Sequence, residues 1–244
     1  MLTRDKVNYK KILTGLLSDQ NIVNEVGNAA LGVHVEALLD IMWQECNTIS
    51  WTQARNLGPG TNRNSRSRGS KKIVASQRAT FVDIQPVCFD ASTPQPGDLE
   101  DLDWNKPVYF KPRATNYAGF DMFLLVKIGA RYRIIAIQVT VKNAKDHEVD
   151  AFDRTYLTAW NDRLQPYLEK NGHPPDLEWQ FYMLTPEGNP GPDLPSSAHD
   201  QIPIYQVGFR DLTPSGDFNC GIKVVNEFAD LLEIKRQAKK QKRS

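Results

Sequence analysis

Residues 116 to 147, NYAGFDMFLLVKIGARYRIIAIQVTVKNAKDH, constrain the fold more than any other stretch of the chain. They hold two apolar runs, GFDMFLLV and YRIIAIQVTV, joined by Gly129, Ala130 and Arg131. Runs of this length, rich in β-branched and aromatic residues around a Gly-containing turn, predict two adjacent β-strands buried on both faces. Strand side chains alternate, so Gln138, Thr140 and Lys142 should share one face while Ile137, Val139 and Val141 occupy the other. Asp121 is the acid inside the first run. An unpaired polar group in so apolar a setting costs about 1–3 kcal/mol. Asp121, Gln138, Thr140 and Lys142 should therefore either pair with one another or serve a metal and a substrate.

The rest of the chain supplies layers for these strands. Residues 5–18 and 28–46 show helical spacing. In the second of these, Leu31, Val35, Leu38, Leu39 and Met42 form an apolar stripe, with Glu36 beside it and His34 and Asp40 further round. Residues 53–72 are rich in Gly, Asn, Ser and Arg and predict a long loop, which in a compact domain is functional or disordered. Strand material follows between Ile73 and Phe89, with Pro86 marking an edge or a bend. After an acidic stretch at 90–107, VYF joins the paired strands in the middle of a sheet. Residues 149–170 return to helical spacing, with Phe152, Tyr156, Ala159, Trp160, Leu164, Tyr167 and Leu168 on one face and Pro166 expected to kink or end the helix. LEWQFYMLT should then lie parallel to the Gln138 strand across that helix, and IPIYQVGF adds a further strand. A terminal helix runs into a basic tail at 235–244. The expected architecture is α/β, helices around a central mixed sheet, in a single domain over 1–234 with a core at 28–209 and insertions at 47–72 and 90–107.

The net charge of +1 conceals two local excesses of positive charge. One is Arg63, Arg66, Arg68, Lys71 and Lys72; the other is the tail, and either is a solvated flank or a phosphate-binding patch. Cys46, Cys88 and Cys220 have no metal spacing and are odd in number, which points to structural thiols in a reducing, intracellular compartment. No apolar run is long enough for a membrane span, and residues 1–15 lack the apolar core of a signal peptide.

The order of residues around the paired strands resembles a known family. Gly32 and Glu36 on a helix, Asn116 and Asp121 as N-x-x-x-x-D, then Gln138, Thr140 and His147 as Q-x-T-x-x-x-x-x-x-H, are similar to the PD-(D/E)XK nuclease-like domain of Crinkler proteins and retrotransposon hot-spot proteins. The resemblance covers about residues 28–209. It implies a restriction-endonuclease-like α/β/α sandwich, Mg2+-dependent cleavage of DNA with Mn2+ as a substitute, and a nuclear, effector-type setting. Transferred to this chain, it makes Asp121 and Gln138 metal ligands, Glu36 an assisting acid, and Lys142 the cation beside the phosphate, with Thr140 and His147 as secondary candidates. Active members of the wider superfamily carry a lysine where this chain has Thr140. The alternative is an inactive nuclease fold that binds nucleic acid or a protein partner.

Overall fold

The computed structural model describes residues 28–45, 48–52, 54–56, 79–90, 93–113, 120–139, 154–172, 177–185 and 202–214, with the single positions 237 and 241. The helix expected at 5–18, most of the loop expected at 53–72, and the continuous terminal helix and tail lie outside these residues.

Helix α1 spans Asn28–Glu45 and is followed by strand β1, Thr48–Trp51, and the short β2, Arg55–Asn56. Then come β3, Ala79–Val82; β4, Gln85–Phe89; β5, Val108–Pro112; β6, Met122–Ile128; and β7, Arg131–Val139. Helix α2, Arg154–Lys170, leads to β8, Leu177–Thr185; β9, Ile204–Gly208; and β10, Leu212–Pro214. Seven strands form one mixed sheet in the order β2-β9-β8-β7-β6-β5-β4, and a second, antiparallel sheet has the order β10-β1-β3. The protein is thus mixed α/β with a central mixed sheet.

The predicted strand pair is the heart of the large sheet. β6 and β7 are antiparallel from Met122 opposite Ile137 to Ile128 opposite Arg131, around a turn in which Gly129 takes a φ of 62°. That left-handed conformation costs glycine little. β7 and β8 pair in parallel, Tyr132 with Leu177 through Val139 with Leu184, across α2 as expected. β4, carrying Pro86, is the sheet's edge, where a missing N–H is tolerated.

Alternation along the strands produces two cores. Tyr109, Met122, Leu124, Ile135, Ile137, Tyr182, Leu184 and Val207 pack with Val35, Leu39, Met42 and Trp43 of α1, and with Ile49, Trp51, Phe81 and Leu212 of the small sheet. The intervening residues Val108, Phe110, Phe123, Leu125, Ile134, Ala136, Phe181 and Met183 pack with Trp160, Leu164 and Leu168 of α2. A helix therefore covers each face.

Several expectations are corrected. The insertion expected at 47–72 begins with β1 and β2, because β-branched Ile49 and aromatic Trp51 are buried in the core under α1. α2 continues past Pro166 to Lys170, since Leu164 and Leu168, on either side of the proline, are both held in the core. Ala159, expected on the buried face of that helix, is exposed. The acidic stretch is anchored rather than loosely inserted: Leu99 and Trp104 are buried, Tyr132 Oη donates to the Trp104 carbonyl at 2.5 Å, and Tyr167 stacks on Trp104.

Candidate active site

α1 places three polar residues one turn apart, Glu36, Asp40 and Gln44, along the flank of its buried stripe. β5 answers them from the sheet. Tyr109 and Lys111 alternate with Val108 and Phe110, so both point toward α1. Tyr109 Oη donates to Asp40 Oδ1 at 2.6 Å, and Gln44 Nε2 donates to the same oxygen at 2.9 Å. Lys111 Nζ lies 2.7 Å from Glu36 Oε1 and donates to the backbone carbonyl of Asp121 at 3.0 Å. Burial, followed by the adjacent Asp40 charge, pushes the Tyr109 hydroxyl well above its ordinary pKa, so Tyr109 acts here as a hydrogen-bond donor.

Asp121 joins this cluster through an irregularity in the strand. It was expected inside β6 but lies immediately before it. In the β6–β7 register Ile137 lies opposite Met122, yet the Asp121 N–H donates to Ile137 O at 3.0 Å, so two successive residues face one partner. The ladder is thus out of step by one residue, as in a β-bulge, and such a slip re-aims a side chain. Regular alternation would turn Asp121 toward α2. With the slip, its carboxylate accepts the Val139 N–H at 2.6 Å, and its backbone carbonyl meets Lys111 from the α1 side.

The electrostatics of Asp121 follow from this position. Burial raises its pKa, the neighbouring Glu36 charge raises it further, and the Val139 N–H and Lys111 only partly offset them, leaving it at about 7. Among the described residues, the site contains the acids Glu36, Asp40 and Asp121 and the ammonium of Lys111.

The structure brings together two of the sequence candidates, Glu36 and Asp121. Gln138 lies between Ile137 and Val139, which both pack on the α1 side, so alternation puts it on the α2 face. Thr140, Lys142 and His147, together with Arg63, Arg66, Arg68, Lys71 and Lys72, lie outside the described residues, as does Asn116. Sequence reasoning missed Lys111 and Tyr109. The available signal was Lys111 itself, the one charged residue in the apolar strand VYFKP and therefore in need of a partner.

Two hard carboxylates fit magnesium, which is usually held by one or two carboxylates and completes its shell with water and substrate phosphate. Among the described residues, no three His, Cys, Asp or Glu side chains gather where they could hold a metal ion. No described helix is long and apolar enough to cross a membrane. Comparison with protein-family models, with curated proteins and with solved structures finds no match to this chain, and the case for its chemistry therefore stands on this geometry.

Proposed function

We propose that the protein is a metal-dependent nuclease that cleaves DNA phosphodiester bonds, with a restriction-endonuclease-like α/β/α sandwich of the Crinkler type. The observation that carries this reading is that Glu36 and Asp121, acids from elements far apart in sequence, interact electrostatically at the bulged entrance to a central strand, where Lys111 binds the Glu36 carboxylate and the Asp121 backbone carbonyl. A buried acid beside a second, part-buried one is poorly stabilised by itself and well suited to a divalent cation.

In this reading Asp121 and Glu36 hold Mg2+, or Mn2+ in its place. The chemistry a bound ion supplies is polarisation of the phosphate oxygens and activation of a water. Val139 orients Asp121 through its N–H. Asp40, fixed by Tyr109 and Gln44, keeps α1 in register against β5 and so keeps Glu36 in place. Arg63, Arg66, Arg68, Lys71 and Lys72 hold the DNA backbone. Gln138, whose side chain lies on the α2 face, is left out of the ligand set, and Lys142 remains assigned by the family resemblance as a cation at the phosphate.

Incubation of supercoiled plasmid with the protein and Mg2+ or Mn2+ tests the reading. Nicking that chelation stops, and that Asp121→Ala and Glu36→Gln each reduce roughly a hundredfold or more, is the expected result. A wild-type protein inert in both metals, or an Asp121→Ala variant that cuts at the wild-type rate, sinks it.

A second reading is favoured by the ion pair itself: Lys111 already occupies Glu36. On this reading the protein binds nucleic acid, in a nuclear setting, without cutting it. Salt-sensitive binding to duplex DNA in EDTA, with no cleavage on adding Mn2+, would select it.

A further inference from the structure

Lys111 interrupts a strand that is otherwise buried from Val108 to Pro112. Its side chain is only 16% exposed, and its ammonium is held by a carboxylate oxygen of Glu36 at 2.7 Å and the carbonyl oxygen of Asp121 at 3.0 Å. Carboxylate and carbonyl oxygens are the donors a hard divalent cation takes. The ammonium thus sits among oxygens of the kind that would hold a metal, on the side of Asp121 that faces Glu36.

A divalent ion held by Glu36 would meet the ammonium that the same carboxylate already holds, and like charges in a part-buried site repel strongly. The two cations exclude each other. Lysine suits an exchange of this kind, because its charge is compact and rides on a flexible stem, unlike the rigid fork of arginine. Glu36 is 26% exposed, so the cluster lies at an accessible margin of the core and the head group has solvent within reach.

We propose that Lys111 is a built-in counter-ion: it neutralises Glu36 in the metal-free protein, and a divalent cation displaces it from between Glu36 and Asp121. This rests on the metal-dependent reading above and adds that the lysine opposes metal binding. It also supplies a cation for the phosphate from β5, a strand the family resemblance does not use, since the displaced ammonium is left beside the site that binds substrate.

Calorimetric titration of the full chain with MnCl2 separates the two claims. Lys111→Met should bind Mn2+ at least tenfold more tightly than wild type, because the competing charge is gone, while Asp121→Asn should lose most of the binding. Lys111→Met that binds Mn2+ no more tightly than wild type overturns the exchange. Wild-type protein that binds no Mn2+, or Asp121→Asn that binds as well as wild type, overturns the metal reading instead. Should Lys111→Met fail to fold, the wild-type protein gives the answer: with 13C-labelled lysine, the Lys111 Cε resonance should move to the position of a solvated lysine over the same Mg2+ range that saturates the site. A resonance that stays in place while Mg2+ binds overturns the proposal.

Discussion

The two faces of the large sheet use the same strands and bury different things. Under α2 the core is closed by aromatic contact: Trp160 meets Phe89, Phe110 and Phe123 with ring centroids 5.7, 5.4 and 4.5 Å away. Under α1 the core is also aromatic, with Trp43 stacked on Tyr109 at 6.0 Å and Trp51 against Phe81 and Tyr182 at 5.0 Å each. That side, however, continues into a ladder of charge, from Gln44 and Asp40 at Tyr109 to Glu36 at Lys111 and on to Asp121. One face is built for stability alone. The other accepts desolvated acids, which lower stability unless something neutralises them, and such strain in a fold is characteristic of working sites.

The comparison breaks most clearly on truncation of Trp160. Trp160→Ala should destabilise the protein by about 3–5 kcal/mol in urea unfolding. Below its melting temperature it should leave Mn2+ affinity unchanged, because α2 contributes nothing to the acid cluster. A large loss of metal affinity would show that the two faces are coupled.

Asp121→Asn should act in the opposite sense. The raised pKa of Asp121 contributes stability that is fully present below the ordinary carboxyl range and is lost as pH rises to about 7. Asparagine keeps an acceptor for the Val139 N–H and carries no charge. In EDTA at pH 8 the variant should be more stable than wild type, on the order of 2–3 kcal/mol, with the gap closing toward pH 4. Melting curves across that range check the sign, and a variant less stable at pH 8 would remove the electrostatic account. Glu36→Gln sharpens the same point. Without the Glu36 charge, the Asp121 carboxyl titration followed by 13C NMR should fall from about 7 toward the ordinary value.

Tyr109→Phe leaves Asp40 without its shortest donor while preserving the ring against Trp43. A cost of about 1–2 kcal/mol is expected in chemical denaturation, with the Asp40–Gln44 bond limiting the loss. The smallest effect belongs to the rim. Arg131 and Glu178 are 65% and 41% exposed and 3.5 Å apart, and Arg131→Ala should change stability by less than about 0.5 kcal/mol. A larger loss there would mean that the start of β7 is held by charge rather than by burial.

Much of the scaffold was legible without coordinates. The runs from Phe120 to Val126 and from Tyr132 to Val139 are too apolar to be anything but buried strands. The turn at Gly129, the parallel return of 177–185 and the first helix at 28–45 follow from local periodicity and turn chemistry. These are short-range signals, and each residue type reports on its own neighbourhood. Glu36 and Asp121 could be singled out on the same basis, as acids beside or inside apolar segments.

Which groups meet was decided only by the folded chain. Lys111 reaches Glu36 across 75 residues of sequence, and Tyr109 reaches Asp40 across 69. Pairings at such range depend on how α1 lies over β5, which no local pattern encodes. The slip at Asp121 is likewise invisible in the sequence, where strict alternation sends the side chain toward α2; the bulge marked by its N–H bond to Ile137 O, opposite Met122, brings it toward Glu36. Side-chain period and hydrophobicity therefore determined the layers, while register and the packing of distant elements decided that Lys111 joins the Glu36 carboxylate to the Asp121 backbone.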